Sequence, residues 1–212
     1  MNPVKPVKQY CYLGITFTLN GSFKTAVTTL TGKAKRASNI LRRTIDTNGL
    51  TATSLIILFD ALLLPIATYA IQVWLPQTTI GKAMAVNTTD TNILDRPFRD
   101  SFEIFHLRYL KWVLQLHKQA SNLVCFGDTG RCPVAIKCLP QVTAYFRRVK
   151  IISEDDESSL VGKAFQEQKN LDMDWYRTLS SIYGNSTNPA ECKKSFSTKF
   201  KGEWDANRAT QN

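Results

Sequence analysis

The first 45 residues of this chain contain no acidic side chain, although eight of them are lysine or arginine. Across the whole chain 27 basic residues stand against 17 acidic ones, which gives a net charge of +10. Such an excess favours a polyanionic partner, either nucleic acid or an anionic membrane surface. Because 43% of the residues are hydrophobic, the composition supports a folded core and argues against wholesale disorder.

The sequence also has few of the residues on which catalysis depends. It contains two histidines, His106 and His117, and no HExxH, GxSxG, P-loop or glycine-rich dinucleotide pattern. Asp155 and Asp156 are adjacent, but they belong to an acidic run typical of a solvated loop before a helix. We therefore predict no catalytic residue, no metal ligand, no cofactor and no small-molecule substrate for this chain.

Cysteine is scarce and its spacing is uninformative for metals. The five cysteines are Cys11, Cys125, Cys132, Cys138 and Cys192. Their separations fit no common zinc pattern, and the first residues lack the apolar segment of a secretory signal. We expect free, mostly buried thiols and an intracellular location, nuclear or cytoplasmic, without secretion.

No long apolar run is free of polar interruptions. The most apolar segment, 52–74, has the length of a bilayer span, but Asp60, Pro65 and Gln72 interrupt it. An ionised aspartate at the centre of a span is costly in lipid. We therefore predict a central buried helix kinked at Pro65, and a membrane partner is disfavoured.

The apolar residues that are present recur mostly at helical spacing, so we predict a mainly α fold, a multi-helix bundle with a short N-terminal β strand or hairpin. Residues 10–18 alternate and read as a strand in which Gly14 marks a bulge or a close approach. Ser22 is the predicted N-cap of a helix over 23–45 that Asn48 and Gly49 end. The stretch 76–95 is predicted to be a polar connection.

A third helix is predicted over 96–117. Its stripe of Phe98, Phe102, Phe105, Tyr109 and Trp112 is a core face by spacing, while the basic residues at its edges can still reach phosphate. Ser121 should cap a short helix that Gly130 ends, and Pro133 should open the next, over 133–151. Arg147, Arg148 and Lys150 would then sit at a helix C-terminus, where cations suit the dipole.

Charge and pattern divide the chain into three predicted segments. These are a β segment over 1–21, a helical domain over 22–152, and a C-terminal helical addition over 153–212 with helices near 157–170, 172–183 and 189–206. The last segment has a balanced charge, with eight basic and ten acidic residues, whereas 101–150 has eight basic and two acidic. The positive charge therefore lies in two separate blocks before residue 151.

Four motifs follow one another along the chain. They are Tyr12-Leu13-Gly14-Ile15; Lys33 to Ala37 with Leu41, Arg42 and Arg43; Pro65, Tyr69 and Trp74; and Arg108 to Leu114 with Ser121-Asn122 and Gly130 to Pro133. In this order they resemble the C-terminal part of reverse transcriptases from non-LTR (LINE-type) retrotransposons. The resemblance covers about residues 8 to 150. It implies that 1–21 resembles the primer grip, and that the helical domain resembles the thumb, which closes on a primer–template duplex.

The resemblance implies a nucleic-acid-binding set and no polymerase centre. The implied binding residues are Tyr12, Leu13, Gly14, Lys33, Lys35, Arg36, Arg42, Arg43, Arg108, Lys111, Arg147 and Arg148. The Tyr-x-Asp-Asp turn that holds magnesium in the parent polymerase has no counterpart here, so we expect an inactive fragment that retains the grip on an RNA–DNA or DNA duplex. The alternative is a non-catalytic helical interaction module, or an inert remnant of a transposable element.

Overall fold

A computed structural model describes residues 7–45, 49–85, 99–184 and 188–209. The protein is mainly α-helical with one antiparallel two-stranded hairpin near the N-terminus, which confirms the predicted fold class. The chain forms two compact units, Met1–Ala70 and Ile71–Asn212. This division lies at neither of the boundaries predicted from charge, and the C-terminal helices share the second unit with residues 71–152.

The first unit begins with the hairpin. Strand β1 (Gln9–Tyr12) pairs with β2 (Ile15–Thr18), so that Tyr12 lies opposite Ile15. Leu13 and Gly14 form the turn with φ of 47° and 81°, and two successive positive values are typical of the tightest hairpins. Of the two predicted forms, a strand or a hairpin, the hairpin is the one that forms, because Leu13 and Gly14 turn the chain.

Helix α1 (Lys24–Thr44) packs its apolar face on the rest of the first unit. Val27, Leu30 and Ala34 are buried, as their spacing predicted. Phe23, rather than Ser22, holds the N-cap position, and the Ser22 hydroxyl accepts a hydrogen bond from the Lys24 N–H at 3.3 Å. The helix ends before Gly49; Asn48, the other half of the predicted stop, lies outside the described residues.

The predicted helix over 52–74 is not continuous, so that prediction was wrong. Helix α2 (Ala52–Leu58) widens into a π-helical turn (Phe59–Leu63) before α3 (Leu64–Ala67). Because Pro65 has no N–H and its ring crowds the carbonyl four residues earlier, the wider turn accommodates it. The chain then leaves the helix at Ala70, whose φ is 54°.

The second unit starts with short helical pieces, α4 (Ile71–Trp74), a 3₁₀ turn (Leu75–Gln77) and α5 (Thr79–Ala85). The predicted polar connection over 76–95 was therefore wrong for its first half, because Ile80 and Met84 are fully buried. Residues 86–95 lie outside the described part of the chain. Polar composition misled here because the few apolar residues of α5 include Ile80, Ala83 and Met84, which are buried.

Helix α6 (Ser101–Val113) is shorter than the predicted 96–117 and forms the core of this unit. Phe102, Phe105 and Tyr109 are buried, which confirms the core interpretation of the aromatic stripe; Phe98 lies outside the described residues. Trp74 packs edge-on against Phe102, with ring centroids 5.2 Å apart.

Two carboxylates at the start of α6 cap other helices. Asp100 accepts hydrogen bonds from the N–H groups of Thr79 (3.1 Å) and Ile80 (2.9 Å), at the start of α5. Burial raises the pKa of Asp100, against the lowering effect of these two bonds. Glu103, with no exposed surface, accepts from the N–H groups of Val134 (3.0 Å) and Ala135 (2.8 Å).

Those two N–H groups open helix α8 (Val134–Asp155). It follows α7 (Asn122–Thr129), which Ser121 caps and Gly130 ends with a φ of 62°, as predicted. Because α8 runs four residues beyond the predicted end, Arg147 and Arg148 lie in its interior. Their predicted role as cations on the helix C-terminus is therefore wrong, and Lys150 instead lies 3.8 Å from Glu154.

The C-terminal helices α9 (Leu160–Asn170), α10 (Asp174–Gly184) and α11 (Pro189–Ala209) pack on α8 and on one another. Phe146 of α8 sits in an aromatic cluster with Phe165, Trp175 and Tyr183. Between α11 and α7, the Trp204 indole N–H donates a hydrogen bond to the Leu123 carbonyl at 3.0 Å. The helices α9, α10 and α11 thus contribute buried side chains, such as Phe165, Leu179 and Phe200, to the core of the second unit.

The five cysteines are free, and three of them are buried, in line with the expectation from their spacing. Burial raises the pKa of Cys125 and Cys132, and raises that of Cys192 to about 11. Within the described residues no single helix is long and apolar enough to cross a membrane; the bent pair Ala52–Ala67 and Ile71–Gln77 meets the length and composition together.

Removing the Glu103 carboxylate should strongly destabilise the second unit. We expect Glu103→Ala to lower the free energy of unfolding by about 3 kcal/mol, because two buried N–H groups lose a charged acceptor. Glu103→Gln should have an intermediate cost, since it keeps one acceptor oxygen. Urea unfolding followed by circular dichroism measures both; a Glu103→Ala loss no greater than that of the exposed Glu167→Ala would contradict this role.

Gly127 on α7 should be intolerant of a side chain. A Cβ there would lie 2.4 Å from Trp204 Cζ2, whereas a Cβ on the helical Gly202 would meet nothing within 4 Å. We expect Gly127→Ala to lower the melting temperature, with a cost of about 1–3 kcal/mol. Gly202→Ala should be neutral or stabilising by helix propensity. Equal melting temperatures for the two variants would show that α11 does not rest on α7 in this way.

Candidate nucleic-acid interface

The predicted basic residues of α1 lie on its exposed face or at the edge of its packed face. Lys33, Arg36 and Arg43 are exposed, and Lys35 and Arg42 are half-buried at the edge of the packed face. Arg36 and Arg43 are seven residues apart, as are Lys35 and Arg42, so each pair repeats on one side of the helix about 10 Å along its axis. Because the first 45 residues contain no acidic residue, α1 itself carries no carboxylate.

The hairpin tip presents the second group of predicted residues. Tyr12 is 57% exposed and Leu13 72% exposed, and Gly14 is exposed between them and β2. A Cβ on Gly14 would lie 3.7 Å from Tyr69 Cε1, so the turn backbone passes close to that ring. The tip therefore offers apolar surface and a bare backbone rather than charge.

In the second unit, an open groove lies between α6 and the segment that leads to α7. It has a volume of about 750 Å³. Its apolar lining is Ile104, Leu107, Trp112 and Leu116, and its polar lining is Arg108, Lys111, Lys118, Gln119 and Asn122. We call it the α6 groove. None of the described residues that line it is acidic.

The end of α6 shapes this groove. Gln115 adopts a φ of 53°, its N–H donates to the Trp112 carbonyl at 3.1 Å, and the Leu116 N–H donates to the Lys111 carbonyl at 2.8 Å. This pair of bonds is a Schellman arrangement, which turns the chain back alongside the helix it has just left. The turn places Leu116 beside the outer face of α6.

Lys111 holds the turned segment in place. Its ammonium donates to the carbonyl oxygens of Lys118 at 2.9 Å and Ala120 at 2.6 Å. Lys111 was predicted as a nucleic-acid contact, and its charge is here already engaged with the backbone. Arg108 and Lys118 are exposed at the groove, so they are the cations best placed to meet a ligand.

The remaining predicted residues, Arg147 and Arg148, are exposed on α8 and do not line the α6 groove. Conversely, Lys118, Gln119 and Asn122 line the groove but were absent from the predicted set. The polar hinge around Ser121 was the available signal. The left-handed Gln115, which brings these residues against α6, has no sequence signature.

Among the residues that the structure describes, no three or more histidine, cysteine, aspartate or glutamate side chains cluster as metal ligands would. The buried Glu103 lies 3.9 Å from His106 Nδ1, but both its oxygens already accept backbone N–H groups. The α6 groove can hold a polyanion through its cations or a planar ring on its apolar floor. Neither kind of binding requires a group that titrates.

Lys111→Met should loosen the groove without unfolding the second unit. Methionine keeps the apolar stem but loses both charge-assisted bonds to the loop, which we expect to cost about 1–2 kcal/mol. Hydrogen exchange should speed up at residues 115–121 and stay slow in α8. Unchanged exchange in this segment would show that the ammonium does not hold it.

Comparison of the chain with protein-family models, curated proteins and solved structures finds no match.

Proposed function

We propose that this chain binds nucleic acid as a non-catalytic gripping region of the type found after the palm of LINE-type reverse transcriptases. The observation that carries the proposal is the row of cations on α1, in which Lys33, Arg36 and Arg43 are exposed. A duplex carries about one negative charge per 1.7 Å of its axis, so a row about 10 Å long faces several phosphates at once. The resemblance of Tyr12 to Ile15 and of Lys33 to Arg43 points the same way.

In this proposal the two surfaces of the first unit have different roles. The α1 cations supply sequence-independent affinity through phosphate contacts, which position a duplex without reading it. The hairpin tip supplies apolar contact near a strand end through Tyr12 and Leu13. Polymerisation is not part of the proposed activity, because the magnesium-binding aspartates of the resembled family have no counterpart in this sequence.

A second candidate function is a protein-interaction module. The observation that favours it is the cluster of exposed apolar side chains on the hairpin, where Tyr10 is 60%, Leu13 72% and Leu19 75% exposed. Exposed apolar patches of this kind mark interaction sites on soluble proteins. This function would use the first unit without its cations.

The salt dependence of duplex binding separates the two functions. We expect a fluorescent RNA–DNA duplex to bind with an affinity that falls steeply between about 50 and 200 mM salt. Changing Lys35, Arg36, Arg42 and Arg43 together to glutamine should reduce the slope of log K against log salt by about two to four, because each lost phosphate contact removes about one.

The matched control removes the same charge elsewhere. Lys163, Lys169, Lys194 and Lys199 are exposed on α9 and α11, and their change to glutamine alters the net charge equally. The control should keep the steep slope. If both quadruple variants lose the same slope, the affinity comes from net charge alone; if neither the wild type nor the control binds the duplex, the interaction module is the better account.

A further inference from the structure

We propose that the α6 groove holds an unpaired nucleobase, so that the chain prefers a duplex with a single-stranded extension over a blunt one. This inference rests on the proposed nucleic-acid function and names the part of the substrate that the second unit recognises. It is carried by the composition of the groove, by the way Trp112 is held, and by the exposed cations beside it.

The groove has an apolar lining, which duplex binding does not require. Paired bases are stacked inside a duplex, whose outer surface offers mainly phosphate and sugar, and such a surface is met mainly by cations and hydrogen-bond donors. Ile104, Leu107, Trp112 and Leu116 form an apolar floor instead. An unpaired base brings a bare π face that can cover such a floor, and it remains attached to a phosphate.

Trp112 is held as a stacking platform would be. It is partly exposed at the groove, and the fully buried Tyr109 lies behind it, with ring centroids 5.3 Å apart and planes at 59°. Tyr109 therefore fixes the indole from the core side. A platform that is already ordered loses little entropy when a base stacks on it.

Cations and amides line the groove together with the apolar floor. The exposed Arg108 and Lys118 can meet the phosphates next to a stacked base, whereas the Lys111 ammonium is already bonded to the loop carbonyls of Lys118 and Ala120. Gln119 and Asn122 add side-chain amides, which can both donate to and accept from a base edge. The absence of acidic residues from the described lining suits a ligand that carries phosphate.

The volume also fits. About 750 Å³ lies within the range of 300–1,000 Å³ that is usual for small-molecule sites and exceeds what one base needs. The groove is open rather than enclosed, so a strand can pass along it while one base lies on Trp112. No rearrangement of α6 is required, because the Schellman turn and the two hydrogen bonds from Lys111 already hold the loop in the position that forms the groove.

The test compares two ligands and two variants of one residue. The ligands are a short blunt RNA–DNA duplex and the same duplex with an oligonucleotide overhang that contains 2-aminopurine, whose fluorescence falls on stacking. We expect the wild type to bind the overhang ligand about tenfold more tightly than the blunt one and to quench the probe. Trp112→Phe should keep most of this ratio, and Trp112→Leu should reduce it to about one.

Each outcome decides a specific point. Equal affinity for the two ligands in the wild type overturns the inference and leaves the proposed duplex binding intact. A preference that survives in Trp112→Leu overturns it too, because the strand then lies elsewhere. Failure to bind either ligand overturns both proposals. If Trp112→Leu does not fold, the inference is judged from the ratio of the two affinities in Trp112→Phe and from the quenching of 2-aminopurine by the wild type. The flanking phosphate contact is tested separately, by comparing Arg108→Gln with the exposed control Lys163→Gln.

Discussion

The second unit depends on one buried carboxylate. Glu103 has no contact with water, and its charge is tolerable because both oxygens face N–H groups at the start of α8. A helix N-terminus carries a partial positive charge and N–H groups without internal partners, so each side satisfies what the other lacks. Asp100 repeats the device on α5 one turn earlier. The short helix α6 thereby fixes the direction of two others, and with them the packing of the C-terminal helices.

Charged groups that stabilise the fold can thus be distinguished from those available to a ligand. The carboxylates of Glu103 and Asp100 accept hydrogen bonds from helix N-termini, and the Lys111 ammonium donates to loop carbonyls. From the sequence alone, the pattern of cations beside aromatic residues would assign Lys111 to a ligand. The cations that remain available to a ligand are exposed: Arg36 and Arg43 on α1, and Arg108 and Lys118 at the α6 groove. The net positive charge of the chain is therefore expressed at its surface.

The sequence predicts those features that depend on local periodicity and local capping. The α1 stripe, the Ser121 cap, the Gly130 stop and the buried aromatic face of α6 all follow from spacing. What it misses depends on tertiary partners or on rare backbone states. The π-helical turn before Pro65, the left-handed Ala70 and Gln115, and the caps donated across the fold by Asp100 and Glu103 each involve residues that no local pattern marks.

The hairpin has a chemical consequence beyond binding. Cys11 lies in β1 between Tyr10 and Tyr12 and is exposed, while Cys125, Cys138 and Cys192 are buried and Cys132 is half-buried. Thiol reagents act on accessible thiolate, so maleimide dyes attach preferentially to this strand. The native sequence thus provides a spectroscopic reporter on the same strand as Tyr12. In oxidising buffer we expect two copies to cross-link through this exposed sulfur.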